Sequence, residues 1–303
     1  MAIINRASFS KALWPGVNAW YGEKYAEFPV EYTGLFDTQS SSKAFEEDVG
    51  TTGLGLAAVK GEGDAVTYDD MQQGFLTRYQ HVTYGLGFII TEEMIEDDQY
   101  MIVANKKAQA LAFSMRQTKE IVGANVYNRA FSNSYLGGDG VELCSLLHPN
   151  VSGGTWANEA AVACDISEAA LEQALIDMSK WTNDRGLKIA VMPQKLIIPV
   201  DLQFDVERIL MSPLQSGNSN NDINALKSSG KFPGGVVVNH YLTDTDAWFI
   251  RTNVSDGMKH LERRADNFSE DNDFDTNNLK YKATARYSFG WTDPRGLYGS
   301  PGA

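Results

Sequence analysis

The stretch LKYKATARYSFGWT, residues 279–292, sorts by parity. Leu279, Tyr281, Ala283, Ala285, Tyr287, Phe289 and Trp291 take the odd positions. Lys280, Lys282, Thr284, Arg286, Ser288, Gly290 and Thr292 take the even ones. Side chains alternate between the two faces of a strand, so this pattern predicts a strand with one buried and one wet face. Ordinary strands run about five or six residues. This one would be roughly 45 Å long at about 3.3 Å per residue. A ribbon of that length needs an equally long apolar surface to lie on.

One such surface is available. From Glu92 to Val122 there is neither Gly nor Pro, and Met101, Ala104, Ala108, Leu111, Met115, Thr118 and Val122 recur at three-four spacing. That spacing predicts a helix over 92–131, a structural spine of roughly 60 Å at about 1.5 Å per residue. Thr91 is a fair N-cap. Glu92, Glu93, Glu96, Asp97 and Asp98 crowd the first turns, and Arg116, Lys119 and Arg129 lie toward the other end, as the helix dipole favours. The odd face of the ribbon is expected to cover the helix stripe.

Residues 1–45 read as an irregular arm, with no period held for long. Trp14, Trp20, Tyr21, Tyr25, Phe28, Tyr32 and Phe36 are too many large apolar groups to leave in water. The arm must pack on its own body or on a neighbour. Residues 46–90 are punctuated by glycines, and KGEGDAV is turn chemistry. A long two-stranded excursion is expected, with Gly61 to Asp64 near its tip. An isolated hairpin is marginal in water, so a long one implies an external partner.

Beyond the helix, SNSYLGGDG is a breaker and LLHPNVSGGTWANE a loop. Asp165 or Ser167 starts a second helix, although Ala170 denies Ser167 a full capping box. PQKLIIPVDL predicts a buried strand between prolines, LQFDVERILMSP a short helix, and GVVVNHYL and DAWFIRT two more strands around a TDTD turn. Helices and strands mix without a βαβ rhythm, so the class is α+β.

Length and charge narrow the function. The chain has 303 residues and a formal net charge of −13, with no basic run. Phosphate contacts need clustered Lys and Arg, which argues against general nucleic-acid or anionic-membrane binding. No stretch of about eighteen apolar residues exists to span a membrane. Cys144 and Cys164 form no CxxC, and a reduced compartment is the default.

Local catalytic and cofactor motifs fail on context. Gly53-Leu54-Gly55-Leu56-Ala57-Ala58 fits a dinucleotide pattern by letter, but no apolar strand precedes it and VKGEGD cannot continue a helix. Asp271, Asp273 and Asp275 have calcium-loop spacing, but Thr276 and Lys282 stand where glycine and glutamate are required. His81, His148, His240 and His260 form no ligand-spaced pair, and His148 reads as a loop-packing residue. No metal site, cofactor or catalytic residue is expected.

The order of arm, long hairpin, spine helix and α+β remainder resembles the major capsid protein of tailed bacteriophages, the Hong Kong 97 type fold. LHPNVSGGTWAN, SEAALEQAL, PQKLIIPVDLQFDVERIL, NHYLTDTDAWFI and YSFGWTDPRGLYGS resemble the Mu-like branch of phage head proteins. The resemblance implies an N-terminal arm over 1–45 and an extended loop over 46–82 reaching over a neighbouring subunit. It implies a peripheral domain over 83–150 and 253–303, holding the spine helix, and an axial domain over 151–252.

The implied function is a non-catalytic major capsid protein. It would self-assemble as hexamers and pentamers into an icosahedral virion shell, built in the host cytoplasm and enclosing double-stranded DNA without sequence-specific binding. Implied are a separate scaffolding protein or else a processed precursor, with a portal and decoration proteins as further partners and no membrane. The alternatives are an encapsulin-like nanocompartment shell of the same fold and an α+β enzyme with a dispersed site. Trp14, Trp20, Arg286, Trp291 and Arg295 are candidates for intersubunit contact, since Arg and Trp are enriched at interface hot spots, and Lys60 is another, near the expected hairpin tip.

Overall fold

The two long elements expected from the sequence lie against each other in a computed structural model. It describes residues 10–91, 93–94, 100–215, 222–273 and 278–303, with the backbone alone for 10–17 and 100–102. The chain opens with α1 (Ser10–Glu27), a one-turn α2 (Tyr32–Leu35) and β1 (Asp37–Ser40). A hairpin follows, β2 (Phe45–Thr51) and β3 (Gln73–Gln80), then β4 (Val82–Ile90) and the long helix α3 (Tyr100–Asn128). At 29 residues, about 43 Å, α3 falls within the expected span. The acidic residues expected in its first turns lie largely outside the described residues, as do Asp275 and Thr276 of the calcium-like spacing.

A two-residue pair, β5 (His148–Pro149) and β6 (Thr155–Trp156), precedes α4 (Glu168–Lys180), β7 (Pro193–Pro199), α5 (Gln203–Met211) and α6 (Ala225–Ser229). The chain ends with β8 (Val236–Asn239), β9 (Trp248–Thr252), β10 (Met258–Asn272), β11 (Leu279–Trp291) and β12 (Leu297–Ser300).

The first sheet runs β1-β10-β11-β4. Its inner face carries Leu279, Tyr281, Ala283, Ala285 and Tyr287 of β11, in one core cluster with Ala104, Ala108, Leu111, Ala112 and Met115 of α3. Alanines on both sides let helix and sheet approach closely, and Tyr281 and Tyr287 fill the remaining volume. The seam is therefore the one the parity pattern required. Parity fails after Tyr287: Ser288 is buried although it belongs to the wet set. Its hydroxyl lies 3.0 Å from Nδ1 of the buried His81, and this polar pair supplies the reason.

The N-terminal stretch corrects the irregular reading, because 18 of its residues form α1. Pro15 and Gly16 hid the helix from any propensity argument. Its packing residues nonetheless recur at helical spacing. Tyr21 stacks on Phe268 at 4.6 Å, Tyr25 faces the Arg116 guanidinium at 5.1 Å, and Phe28 meets Phe113 edge-on at 5.0 Å. Among the described side chains, Tyr21, Tyr25 and Phe28 of the arm are thus taken up by its own body. Glu120 of α3 accepts from the backbone N–H groups of Glu31 and Tyr32, at 3.3 and 2.8 Å, and fixes the exit from α1.

The second sheet runs β12-β9-β7-β8. It packs with α4 around the buried residues Leu171, Met178, Leu196, Ile198, Trp248 and Ile250. Ser167 caps α4 by accepting from the Ala170 N–H at 3.1 Å, without the glutamate of a full box. The pairing of β12 with β9 returns the last strand of the chain to this sheet, not to the one that holds β11. A third cluster, including Phe36, Tyr127, Ile197, Phe249, Met258 and Leu297, joins elements of both sheets.

Candidate assembly surfaces

The hairpin is strand-paired only at its root. β2 and β3 run antiparallel from Phe45↔Gln80 to Thr51↔Gln73, and residues 52–72 contain no strand. Short polar ties replace a ladder there. The Thr52 N–H donates to the Gln72 carbonyl at 3.1 Å, and the Gly55 N–H donates to the Asp69 carboxylate at 2.7 Å. The Gly55 and Asp70 N–H groups hold the Asp69 carboxyl below its ordinary range. At the tip the Asp64 N–H reaches the Gly61 carbonyl at 3.2 Å, and Gly63 takes φ +86°, a turn at the expected place.

Between these ties the loop presents apolar side chains to solvent. Leu56 is 84% exposed, Val59 102%, Val66 60% and Tyr68 92%. One cation of the body reaches the loop: Arg185 donates to the Asp70 carbonyl and lies 3.3 Å from the Asp69 carboxylate. Parity and spacing could not find this surface, because the residues alternate with no buried face. Glycine punctuation and the KGEGDAV turn locate the excursion itself, and exposure picks out its apolar residues.

The root of the hairpin borders a cleft of about 380 Å³ whose walls include Asp48, Asp139, Asp184, Asp256, Asp293 and Arg295. These carboxylates are engaged. Lys259 bridges Asp48 at 2.5 Å and Asp256 at 2.6 Å, and His148 lies 2.6 Å from Asp139. Arg295 donates to Thr182 O at 3.2 Å and Asn150 Oδ1 at 3.1 Å, and stacks 4.4 Å over Trp156. Burial pushes the Asp293 carboxyl up despite the adjacent guanidinium. His148, fully buried, also faces Asn158 Oδ1 at 3.0 Å, and the Asn158 amide donates to Leu143, Pro294 and Leu297 carbonyls. The arrangement braces loops against the C-terminal segment. Among the described residues no group of three or more His, Cys, Asp or Glu could hold a metal ion, and no helix is long and apolar enough to cross a membrane.

The six contact candidates are not brought together. Lys60 is exposed near the loop tip. Trp14 lies in α1, where only the backbone is described, and Trp20 packs partly against the first core cluster. Arg286, half-buried, donates to the carbonyls of His81 at 3.4 Å and Ala44 at 3.5 Å. Trp291 is half-buried beside the third cluster. Arg295 is 9% exposed and engaged by its own chain.

A family model described as phage capsid protein matches residues 75–300, about three-quarters of the chain. The chain belongs to the phage capsid protein family. This capsid protein is structural and self-assembling, and the family match rather than any missing motif speaks against catalysis. No curated protein matches its sequence.

Its fold is similar to that of a chain from the procapsid of bacteriophage JBD30, at 14% identity and TM-score 0.54, covering 98% of this chain and 76% of that one. A chain of Mycobacterium phage Patience is similar at 10% identity and TM-score 0.53, covering 98% and 88%. A chain from the capsid of a native GTA particle is similar at 13% and 0.52, covering 89% of each. At such identities the likeness carries the fold: the capsid protein has the α+β, Hong Kong 97-like architecture.

Proposed function

We propose that this protein is the major head subunit of a tailed phage of the Mu-like branch, forming an icosahedral shell of hexamers and pentamers around double-stranded DNA. The observation that carries the reading is the loop over 52–72. It holds Leu56, Val59, Val66 and Tyr68 in solvent, although the body has three apolar clusters of its own. Exposed apolar groups in such number mark an interaction site. In a shell the loop is an extended arm that lies over the neighbouring subunit, α3 is the spine of a peripheral domain over 83–150 and 253–303, and 151–252 is an axial domain. Residues 1–45 are the N-terminal arm and 46–82 the extended loop.

Lys60, on the loop, is the contact candidate that fits this arrangement best. A separate scaffolding protein, a portal and decoration proteins complete the assembly, which forms in the host cytoplasm and ends in the virion. The net charge of −13 suits an inner wall that does not grip DNA. Negative-stain microscopy of the expressed protein, with scaffolding protein supplied, tests this. Closed particles tens of nanometres across are the expected result, and monomers alone under those conditions would overturn it.

A further inference from the structure

The hairpin joins the first sheet through two short crossings. β1 ends at Ser40 and β2 begins at Phe45, while a single residue, His81, separates β3 from β4. β1 and β4 belong to the first sheet, and β2 and β3 form a sheet of their own. One side chain bridges both crossings. His81 is buried, with Nε2 at 3.0 Å from the Ser41 hydroxyl and Nδ1 at 3.0 Å from the Ser288 hydroxyl of β11.

The far end of this chain of bonds assigns its protons. The Ser41 hydroxyl donates to Glu46 Oε1 at 2.7 Å, and Lys43 Nζ lies 3.0 Å from Glu46 Oε2. These two partners hold the Glu46 carboxyl below its ordinary range, so it stays ionised and can only accept. With its own proton committed to Glu46, Ser41 accepts from His81, which therefore carries its proton on Nε2. Nδ1 is then bare and accepts from Ser288. The buried serine that breaks the parity of β11 is the donor this tautomer requires.

A second proton has no good place on the ring. At Nδ1 it would confront a hydroxyl already pointing its own proton inward. Two guanidinium groups also stand close. Arg286 of β11 donates to the His81 and Ala44 carbonyls at 3.4 and 3.5 Å, and Arg263 of β10 donates to the Lys43 carbonyl at 3.0 Å. Glu46 opposes them. Arg78 of β3 is taken up by Glu47 and the Phe45 ring, Glu262 of β10 by Lys119, and β4 carries no charge. Burial first, and the Arg286 charge second, keep the imidazole below its ordinary range. Once the root leaves the sheet, the same ring stands in water and takes a proton at about pH 6.5.

We propose that His81 is an acid-released latch: neutral, it locks the hairpin root to the first sheet, and protonated, it frees the root to swing. The latch works within one subunit and does not depend on shell formation. The other ties of the root, Lys259 with Asp48 and Tyr79 with Thr292, contain no imidazole. Imidazole is the side chain that ordinarily titrates between about pH 5 and 8. The closed root is favoured in full above about pH 6.5. Each pH unit below that shifts the balance toward the open root by up to about tenfold, until the closed form also takes the proton.

Native-state hydrogen exchange on unassembled subunits tests this at the amides of 45–51 and 73–80. Their protection factors should fall by about tenfold from about pH 7.5 to about pH 5.5 in the parent. They should stay level in His81→Gln, which keeps a donor toward Ser41 but cannot titrate. Level protection in the parent, or an equal fall in the variant, would overturn the proposal. The slope that His260 gives to global unfolding is common to both proteins and cancels in the comparison. Nitrogen-15 NMR of the parent's His81 ring decides the matter if the glutamine variant does not fold. The expected result is the Nε2–H tautomer at about pH 7.5, converting to imidazolium only as the root amides lose protection. An Nδ1–H tautomer, or a protonated ring in a root that is still protected, refutes the latch.

Discussion

Arg185 and Asp69, 116 positions apart in sequence, meet at a guanidinium–carboxylate separation of 3.3 Å. This contact, with the Arg185 bond to the Asp70 carbonyl, ties the long loop to the body of the subunit. Both side chains are partly exposed, at 29% and 44%, so the pair adds little to global stability. Its effect is to limit where the loop can point. Arg185→Ala should therefore change the unfolding free energy by less than about 1 kcal/mol. Limited proteolysis should nevertheless cleave within 52–72 several-fold faster than in the parent. An unchanged cleavage rate would show that the tie does not restrain the loop.

Buried His260 makes stability depend on acid. The imidazole stacks on Phe289 at 4.4 Å, lies 3.2 Å from the Thr38 hydroxyl, and is pushed down to about 3 by burial and then by the Lys119 charge. Its ordinary value is 6.5. Between these two values the unfolded chain binds a proton that the folded chain refuses. The contribution is whole above about pH 6.5 and is lost as pH falls toward about 3, at roughly 1.4 kcal/mol per pH unit. Urea unfolding across that window should show this slope, and His260→Phe should flatten it. A parallel pH profile in the variant would assign the acid sensitivity elsewhere.

Gly138 is where the breaker after α3 touches the hairpin root. A Cβ there would lie 2.4 Å from the Thr77 hydroxyl and 2.7 Å from the Leu76 carbonyl. One of those atoms is backbone of β3 and cannot rotate away. Gly138→Ala should cost about 1–3 kcal/mol, as overpacking does, and should alter the tryptophan emission of nearby Trp291. Thermal unfolding with fluorescence detection measures both. A neutral substitution would mean that the hairpin root moves freely on the body.

The close approach of α3 to the sheet depends on alanines. Ala283 has no exposed surface and shares a cluster with Ala104, Ala108 and Ala112. Ala283→Leu should push helix and sheet apart at a cost of about 1–3 kcal/mol, read from the urea midpoint. Ala283→Gly leaves that volume unfilled but weakens the strand, so it separates overpacking from lost burial. Equal losses in the two variants would count against the close-packing account.

The sequence alone determined the elements whose signals are local. Period-two alternation located β11, three-four spacing without Gly or Pro located most of α3, Ser167 capped α4, and KGEGDAV turned at Gly61 to Asp64. Each follows from a preference that neighbouring residues express together. The covering of the α3 stripe by β11 was legible too, since two long apolar faces in one chain have few other places to go.

Only the tertiary structure decided the rest. α1 forms despite Pro15 and Gly16 because Tyr21, Tyr25 and Phe28 gain ring contacts from Phe268, Arg116 and Phe113, all distant in sequence. Arg295 was legible as a contact residue by type, yet it stacks on Trp156 and bonds within its own chain. Ser288 is drawn inside by His81 against its parity. The excursion around 52–72 was legible from its glycines and turn, but which of its residues stand in solvent was not, because a segment that buries nothing in its own chain leaves no periodicity. Periodicity reports which side of an element faces its own core. What that element meets, and whether a second copy covers what remains, depends on long-range packing that no local pattern carries.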